Sequence, residues 1–138
     1  MNADNASPLL RALIVEDEFL IAEELRERLC RLGFSVVAAV DTAEAAIAIS
    51  IRERPDLVLM DIRLHGGKDG VQAAEEIRQQ ADVCIVYLTA HSDPLTVERA
   101  KRTEHDGFIL KPFQRHELQS TIEVAMLRRA ERTKRRVQ

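Results

Sequence analysis

The sequence predicts an α/β fold in which a doubly wound parallel sheet carries helices on both faces. Five short apolar runs alternate with five segments whose apolar residues recur every three or four positions. The runs are apolar almost throughout, which is typical of parallel strands buried on both sides. A chain of 138 residues suits one domain, and it can bury about two-thirds of the surface that its unfolded form exposes.

The elements follow one another as βα units. Strand-like runs occupy 10–15, 34–40, 57–60, 83–88 and 108–110, and helical apolar stripes occupy 21–32, 43–51, 71–77, 95–100 and 118–126. Gly33 can end the first helix in a left-handed turn, and Asp41 or Thr42 can cap the second. Five units joined by right-handed crossovers favour the flavodoxin-like strand order 2-1-3-4-5, with five helices.

Acidic residues follow two strands that this order makes neighbours. Glu16 and Asp17 come directly after the first run, and Asp61 comes directly after the third. The carboxyl ends of these strands meet where the winding direction of the sheet reverses, which is where ligands bind in such folds. Three carboxylates gathered there repel one another unless a cation lies among them.

Two further strand ends add a hydroxyl and an ammonium group. Thr89 ends the fourth run, and Lys111 ends the fifth. The resulting pocket suits a phosphoryl group and a divalent cation, and its hard oxygen ligands favour Mg²⁺, with Mn²⁺ as an alternative, because no Cys or His is expected to ligate there. When the cation offsets the negative charge of the carboxylates, Asp61 can attack phosphorus while Thr89 and Lys111 hold the phosphoryl oxygens.

These residues lie in four motifs that closely resemble those of the receiver domain of two-component response regulators. The motifs are Val15-Glu16-Asp17-Glu18, Met60-Asp61-Ile62-Arg63, Leu88-Thr89-Ala90 and Leu110-Lys111-Pro112-Phe113. The resemblance covers residues from about 9 to 128. We therefore expect a receiver domain over 9–128, a flexible segment over 1–8, and a basic tail or an extension of the fifth helix over 129–138.

The resemblance implies a role for each site residue. Asp61 would accept a phosphoryl group from a histidine kinase or a histidine phosphotransfer protein. Glu16, Asp17, Asp61 and the backbone carbonyl of Arg63 would hold Mg²⁺. Thr89 would move toward the phosphoryl group, and the aromatic ring of Phe108 would turn inward.

The resemblance also implies features at the border of the site. Arg63 and His91 would tune the rates of phosphorylation and hydrolysis. The Lys111–Pro112 peptide bond is a candidate for the cis isomer, which is accessible to X-Pro bonds. After Asp61 the chain departs from the common pattern, because Leu64 and His65 replace a Met-Pro pair and Gly70 lies nine residues on instead of eight. The loop is one residue longer than the common pattern, so the sequence does not determine its conformation.

The charge distribution and the cysteines indicate where in the cell the protein acts and what its basic end can do. Although the net charge is −3, residues 128–138 contain six Lys or Arg residues and one acid. These cations can complement the dipole at the end of a helix that then frays into solvent, or they can begin a helical connector. A third alternative is nucleic-acid binding, but the sequence contains no helix-turn-helix pattern to support it. Cys30 and Cys84 are predicted to be buried free thiols. Neither a signal peptide nor a membrane span is recognisable, so we predict a cytoplasmic protein.

The resulting hypothesis is a phosphorylation-dependent signalling switch in a phosphorelay, not a turnover enzyme. Its output would be contact with a downstream protein target, with self-association through the fourth helix, fifth strand and fifth helix as a further expectation. One alternative is a receiver-like docking domain that is never phosphorylated. Another is a Mg²⁺-dependent phosphatase or phosphotransferase, but Arg63 stands where that chemistry needs a second carboxylate.

Overall fold

The described residues form the predicted α/β sandwich. A computed structural model describes residues 9–90, 94–103 and 105–137. The elements are β1 (Leu10–Val15), α1 (Phe19–Arg31), β2 (Phe34–Val40), α2 (Ala43–Glu53), β3 (Leu57–Asp61), α3 (Gly70–Gln80), β4 (Cys84–Thr89), α4 (Pro94–Arg102), β5 (Gly107–Leu110) and α5 (Arg115–Val137). The parallel strands lie in the order β2-β1-β3-β4-β5, which confirms the predicted topology.

Local interactions set the helix boundaries. Gly33 follows α1 with a φ of 94°, the left-handed conformation that glycine adopts without a steric penalty. Thr42 caps α2, because its hydroxyl oxygen accepts a hydrogen bond from the backbone N–H of Ala45 at 3.2 Å. Asp69 and Gln72 form a reciprocal capping box at the start of α3. Of the two caps predicted for the second helix, Thr42 is therefore the one used.

The two faces of the sheet bury separate apolar layers. Leu13 and its neighbours on alternate strand positions pack against α2, α3 and α4. Ile14 and the other strand residues that point to the opposite face of the sheet pack against α1 and α5. Because successive side chains of a strand point to opposite faces, a central strand covered on both sides is apolar at every position. No helix within the described ranges combines the length and apolar character of a membrane span.

Two side chains differ from the sequence prediction. Cys30 is exposed, whereas Cys84 is buried as expected. Cys30 directly follows buried Leu29, and one residue along a helix turns the side chain by about 100°, which carries it to the solvent side. Leu95 is also exposed, with 83% of its surface accessible, so the apolar stripe of α4 is shorter than its spacing indicated.

The inward-facing side of α5 changes from apolar to basic at Arg129. Arg129 donates a hydrogen bond to a carboxylate oxygen of Asp56 at 3.0 Å. Arg132 donates to buried Asp106 at 2.7 Å. Both carboxylates lie just before strands, at the end of the sheet opposite the carboxyl ends. These two cations do not fray into solvent, because they hold the last turns of α5 against the sheet.

Candidate functional site

The strand ends converge as the sequence predicts. Val15 of β1 pairs with Met60 of β3, and Thr89 of β4 pairs with Leu110 of β5. Backbone hydrogen bonds extend these ladders beyond the strands: Glu16 donates to the carbonyl oxygen of Val40 at 2.9 Å, and Lys111 donates to that of Thr89 at 2.8 Å. The site is therefore built on rigid backbone.

Lys111 joins two carboxylates at the centre of the site. Its ammonium nitrogen lies 2.7 Å from Oε1 of Glu16 and 2.9 Å from Oδ2 of Asp61. The other oxygen of Asp61 accepts a hydrogen bond from the backbone N–H of Arg63 at 3.0 Å. Glu16 and Asp61 are 4% and 5% exposed. Buried carboxylates of this kind need paired charge, and Lys111 supplies part of it.

Burial and neighbouring charges shift the pKa values of Glu16 and Lys111. Burial raises the pKa of Glu16 to about 7; the hydrogen bond from Lys111 opposes this rise, and the nearby Asp61 carboxyl adds to it. Burial acts to lower the pKa of Lys111, but its contacts with Glu16 and Asp61 outweigh burial and raise that pKa. Lys111 therefore stays protonated, while a further positive charge would favour ionised Glu16.

The acidic side of the site offers oxygen ligands for a hard cation. Glu16, Asp17 and Glu18 each present a carboxylate oxygen, and these atoms lie within 4.8 Å of one another. The sequence analysis did not count Glu18 among the metal ligands. The backbone N–H of Glu18 donates a hydrogen bond to a carboxylate oxygen of Glu16 at 3.1 Å. Together with Asp61 across the cleft, this donor set fits a divalent cation such as Mg²⁺.

His65 also reaches the acidic side. Its Nε2 lies 3.0 Å from Oδ2 of Asp17. The sequence analysis assigned no histidine as a ligand, and this contact brings one beside Asp17. Gly66, the next residue of the loop after β3, has a φ of 103°, the left-handed conformation that glycine adopts readily. Sequence spacing alone gave no signal for this approach.

Two of the remaining predicted residues line the same cleft. Arg63 and Thr89 line the cleft, whose volume is about 360 Å³. The hydroxyl of Thr89 donates to the carbonyl oxygen of Ala90 at 3.0 Å. His91 falls outside the described residues. The Lys111–Pro112 peptide bond is cis.

Phe108 stands in an aromatic cluster on the α4 side of β5. Its ring is half-buried and packs edge-on against His105, with ring centres 4.6 Å apart. The ring of Tyr87 lies 5.5 Å away. The Tyr87 hydroxyl shares a hydrogen bond of 2.9 Å with Thr103. Phe108 also lines an open groove with Pro94 of α4 and its neighbours, so an inward turn of the ring would change that surface.

Gly70 keeps a close approach to Asp61 despite the longer loop. A Cβ atom built on Gly70 would overlap the backbone carbonyl group of Asp61. The N–H of Gly70 donates to the carbonyl oxygen of Ile62 at 2.8 Å. The additional loop residue is therefore accommodated before Gly70, and the start of α3 stays close to the end of β3.

Comparisons with known proteins agree with this geometry. Residues 12–123 match the response regulator receiver domain family. The chain is 38% identical over 127 residues to the transcriptional regulatory protein PdtaR of Mycobacterium tuberculosis, covering 92% of this chain and 61% of that protein. It is 34% identical to the uncharacterized transcriptional regulatory protein YrkP of Bacillus subtilis, covering 86% of this chain and 50% of that protein.

A solved structure is similar over most of the chain. The signal receiver domain of a modulated diguanylate cyclase from Desulfovibrio desulfuricans has a TM-score of 0.84 and 35% identity, and the match covers 91% of this chain and 99% of that one. The chain belongs to the response regulator receiver domain family. It spans about half to 61% of the length of these two transcriptional regulatory proteins. The predicted family, the receiver domain of response regulators, is confirmed.

Proposed function

We propose that Asp61 accepts a phosphoryl group and thereby switches the contact surface of the domain. The observation that carries this proposal is the position of Asp61 at the end of β3, where one oxygen is bound by Lys111 and the other by the N–H of Arg63. These bonds fix the carboxylate in the cleft. A nucleophile held in one orientation loses little entropy when it reacts.

The transfer follows from the chemistry of a carboxylate and a phosphohistidine. One oxygen of Asp61 attacks phosphorus, and a P–O bond forms as the P–N bond to the donor breaks. The electron pair of that bond leaves on the imidazole nitrogen. The Lys111 ammonium, 2.9 Å from Asp61, and the Thr89 hydroxyl, whose residue lines the same cleft, would stabilise negative charge on the transferred oxygens.

The same cleft is proposed to hold Mg²⁺, or Mn²⁺ in its place. Asp17, Glu16 and Asp61, with the backbone carbonyl of Arg63, are the proposed ligands, and Glu18 adds a nearby carboxylate. When bound, the cation would offset the charge that a phosphoryl group brings to the carboxylates. The raised pKa of Glu16 supports this assignment, because a site in which ionisation is costly gains from added positive charge.

The proposed output is a change at α4, β5 and α5. Thr89 turns from the carbonyl oxygen of Ala90 toward the phosphoryl group, and Phe108 turns inward toward the space that is vacated. The groove that Phe108 lines with α4 then changes shape. This surface would contact a downstream protein target or a second copy of the chain. A raised dimer fraction in sedimentation with beryllofluoride bound would support self-association, and an unchanged fraction would contradict it.

The proposed donors are a histidine kinase or a histidine phosphotransfer protein in the cytoplasm. Arg63, which lines the cleft, and His91 are proposed to tune the phosphorylation and hydrolysis rates. The variants Arg63→Ala and His91→Ala should each change at least one of these two rates. Unchanged rates in both variants would remove the tuning role and leave the acceptor role intact.

The direct test is the intact mass of the protein after incubation with acetyl phosphate and Mg²⁺. We expect a gain of one phosphoryl group, and we expect both Asp61→Asn and a chelator to abolish it. Glu98→Gln is a matched carboxylate control on α4, where the side chain faces the groove away from the acidic cluster. No gain in the unmodified protein would instead favour a docking domain that is never phosphorylated.

A further inference from the structure

His65 brings an imidazole nitrogen to the proposed metal site. Its Nε2 lies 3.0 Å from Oδ2 of Asp17, and both residues line the cleft that contains Asp61. The side chain of His65 is 87% exposed. An exposed histidine gains little from a surface ion pair, which typically contributes between about 0 and 1 kcal/mol. The contact is therefore weak, and it leaves an imidazole nitrogen beside a proposed metal ligand.

The distance between the two atoms matches that of two ligands on one metal ion. Protein ligands of Mg²⁺ and of transition metals lie at about 2.1 Å from the ion, so two ligands at right angles are about 3 Å apart. The pair Asp17 and His65 has this separation without any movement of the loop.

We propose that His65 is an additional ligand that shifts the metal preference of this site toward nitrogen-binding transition metals. The inference rests on the proposed function, in which Asp17 and its neighbours hold a divalent cation. Imidazole binds Ni²⁺, Zn²⁺ and Cu²⁺ well, whereas Mg²⁺ prefers oxygen. His65 therefore adds affinity for the first group and little for Mg²⁺. The site would accept both kinds of ion and would discriminate less strongly in favour of Mg²⁺ than an all-oxygen site.

The test compares binding of Mg²⁺ and Ni²⁺ to the whole chain by titration calorimetry. His65→Ala should weaken Ni²⁺ binding by at least about tenfold, because even the loss of a residue that only supports a metal ligand costs about that much affinity. The same variant should change Mg²⁺ binding by less than about twofold. His116→Ala is the matched control, because His116 is exposed on α5 and does not line the cleft. It should leave both affinities unchanged.

His65→Asp separates ligation from simple electrostatics. An oxygen ligand at this position should strengthen Mg²⁺ binding and weaken Ni²⁺ binding, whereas added negative charge alone would strengthen both. With Zn²⁺, the ¹⁵N resonance of the His65 Nε2 should move in the direction typical of a metal-bound imidazole, which supplies a readout at the proposed ligand atom itself.

The outcomes distinguish this inference from the proposed function. If Asp17→Asn leaves Mg²⁺ binding unchanged, the assignment of the metal site fails, and the role of His65 fails with it. If Asp17→Asn abolishes Mg²⁺ binding but His65→Ala leaves Ni²⁺ affinity unchanged, only the role of His65 is overturned. An equal loss of both metals in His65→Ala also overturns it, because the residue would then support the loop and not ligate.

Discussion

The ammonium nitrogen of Lys111 lies 2.9 Å from Oδ2 of Asp61 and so connects the end of β5 to the end of β3. The same nitrogen contacts Glu16 after β1. One side chain thus balances two carboxylates that neighbouring strands bring together. This contact joins the proposed acceptor Asp61, the proposed metal ligand Glu16 and the end of β5 in one electrostatic unit.

The first prediction concerns the loss of that cation. Lys111→Met keeps much of the side-chain volume but leaves Glu16 and Asp61 facing each other in a buried site. We expect the metal-free variant to lose about 2 kcal/mol in free energy of unfolding, since unpaired buried charge is costly. We also expect phosphorylation by acetyl phosphate to slow by about 100-fold, as for other removed electrostatic donors.

Urea unfolding with a chelator and phosphorylation kinetics with Mg²⁺ check the two parts separately. Lys101→Met is a suitable control, because Lys101 is exposed on α4. If Lys111→Met equals the unmodified protein in both measurements, the charge of Lys111 supports neither stability nor phosphorylation.

The second prediction concerns pH and Glu16. Because the pKa of Glu16 rises from 4.5 to about 7 on folding, the folded protein binds this proton more tightly than the unfolded chain. The associated stability is complete below pH 4.5 and is lost as the pH rises to 7. Glu16→Gln removes this dependence. In chelator, its stability relative to the unmodified protein should increase from pH 5 to pH 8, by on the order of 2 kcal/mol.

Urea unfolding of both proteins at the two pH values measures this difference, and titrating groups that do not interact with Glu16 cancel in the comparison. A relative stability that does not change with pH would contradict the raised pKa. Added Mg²⁺ should reduce the difference, since positive charge favours ionised Glu16.

The third prediction concerns the close approach of Gly70 to Asp61. A Cβ at Gly70 would overlap the Asp61 carbonyl group, so Gly70→Ala must displace the start of α3 or the end of β3. We expect a loss of about 1–3 kcal/mol in free energy of unfolding, as for other overpacked sites. Gly67→Ala is the control in the same loop, because no heavy atom lies within 4 Å of its added Cβ. Equal thermal stability of the two variants would contradict this account.

The fourth prediction concerns the last turns of α5. Arg132 is 19% exposed and pairs with Asp106, which is 2% exposed. Burial opposes ionisation of Asp106, but hydrogen bonds from Arg132 and the N–H of Ile85 outweigh it and lower the pKa of Asp106. Arg132→Ala should cost about 2 kcal/mol, less than the roughly 3–5 kcal/mol of a fully broken buried pair, because Arg78 still contacts Asp106.

Arg135→Ala provides the comparison on the same helix. Arg135 is 80% exposed and pairs only loosely with Glu131 at 3.8 Å, so its loss should change stability by less than about 0.5 kcal/mol. Denaturant unfolding of the two variants checks the difference. Similar losses at both positions would show that Arg132 does not hold α5 against the sheet.

The strands and the strand-end residues could be predicted because they depend on local pattern. A central strand such as β3 is apolar at every position, and a carboxylate directly after it must lie at the edge of the sheet. The assignment of Asp61 and Lys111 to one site therefore needed only strand order. Their separation of 2.9 Å depends on the register of three strands, which the sequence does not display.

The features that the sequence did not reveal depend on loops and long-range pairing. His65 contacts Asp17 from the loop after β3, and the conformation of a loop of altered length cannot be predicted from residue spacing. Arg132 contacts Asp106, which lies 26 positions away in the sequence. Without knowledge of that long-range contact, the basic residues at the end of the chain resemble a solvated tail. The exposure of Cys30 follows from the exact rotation of α1, which apolar spacing defines only to within a residue.

The measurement that tests the central claim most directly is the identification of the phosphorylated residue. After incubation with acetyl phosphate and Mg²⁺, borohydride reduces an aspartyl phosphate to homoserine, and peptide mass spectrometry then locates the change. We predict homoserine at position 61 in the unmodified protein and none there after incubation with a chelator. Modification at another carboxylate with Asp61 unchanged, or no modification at all, would contradict the assignment of Asp61 as the phosphoacceptor.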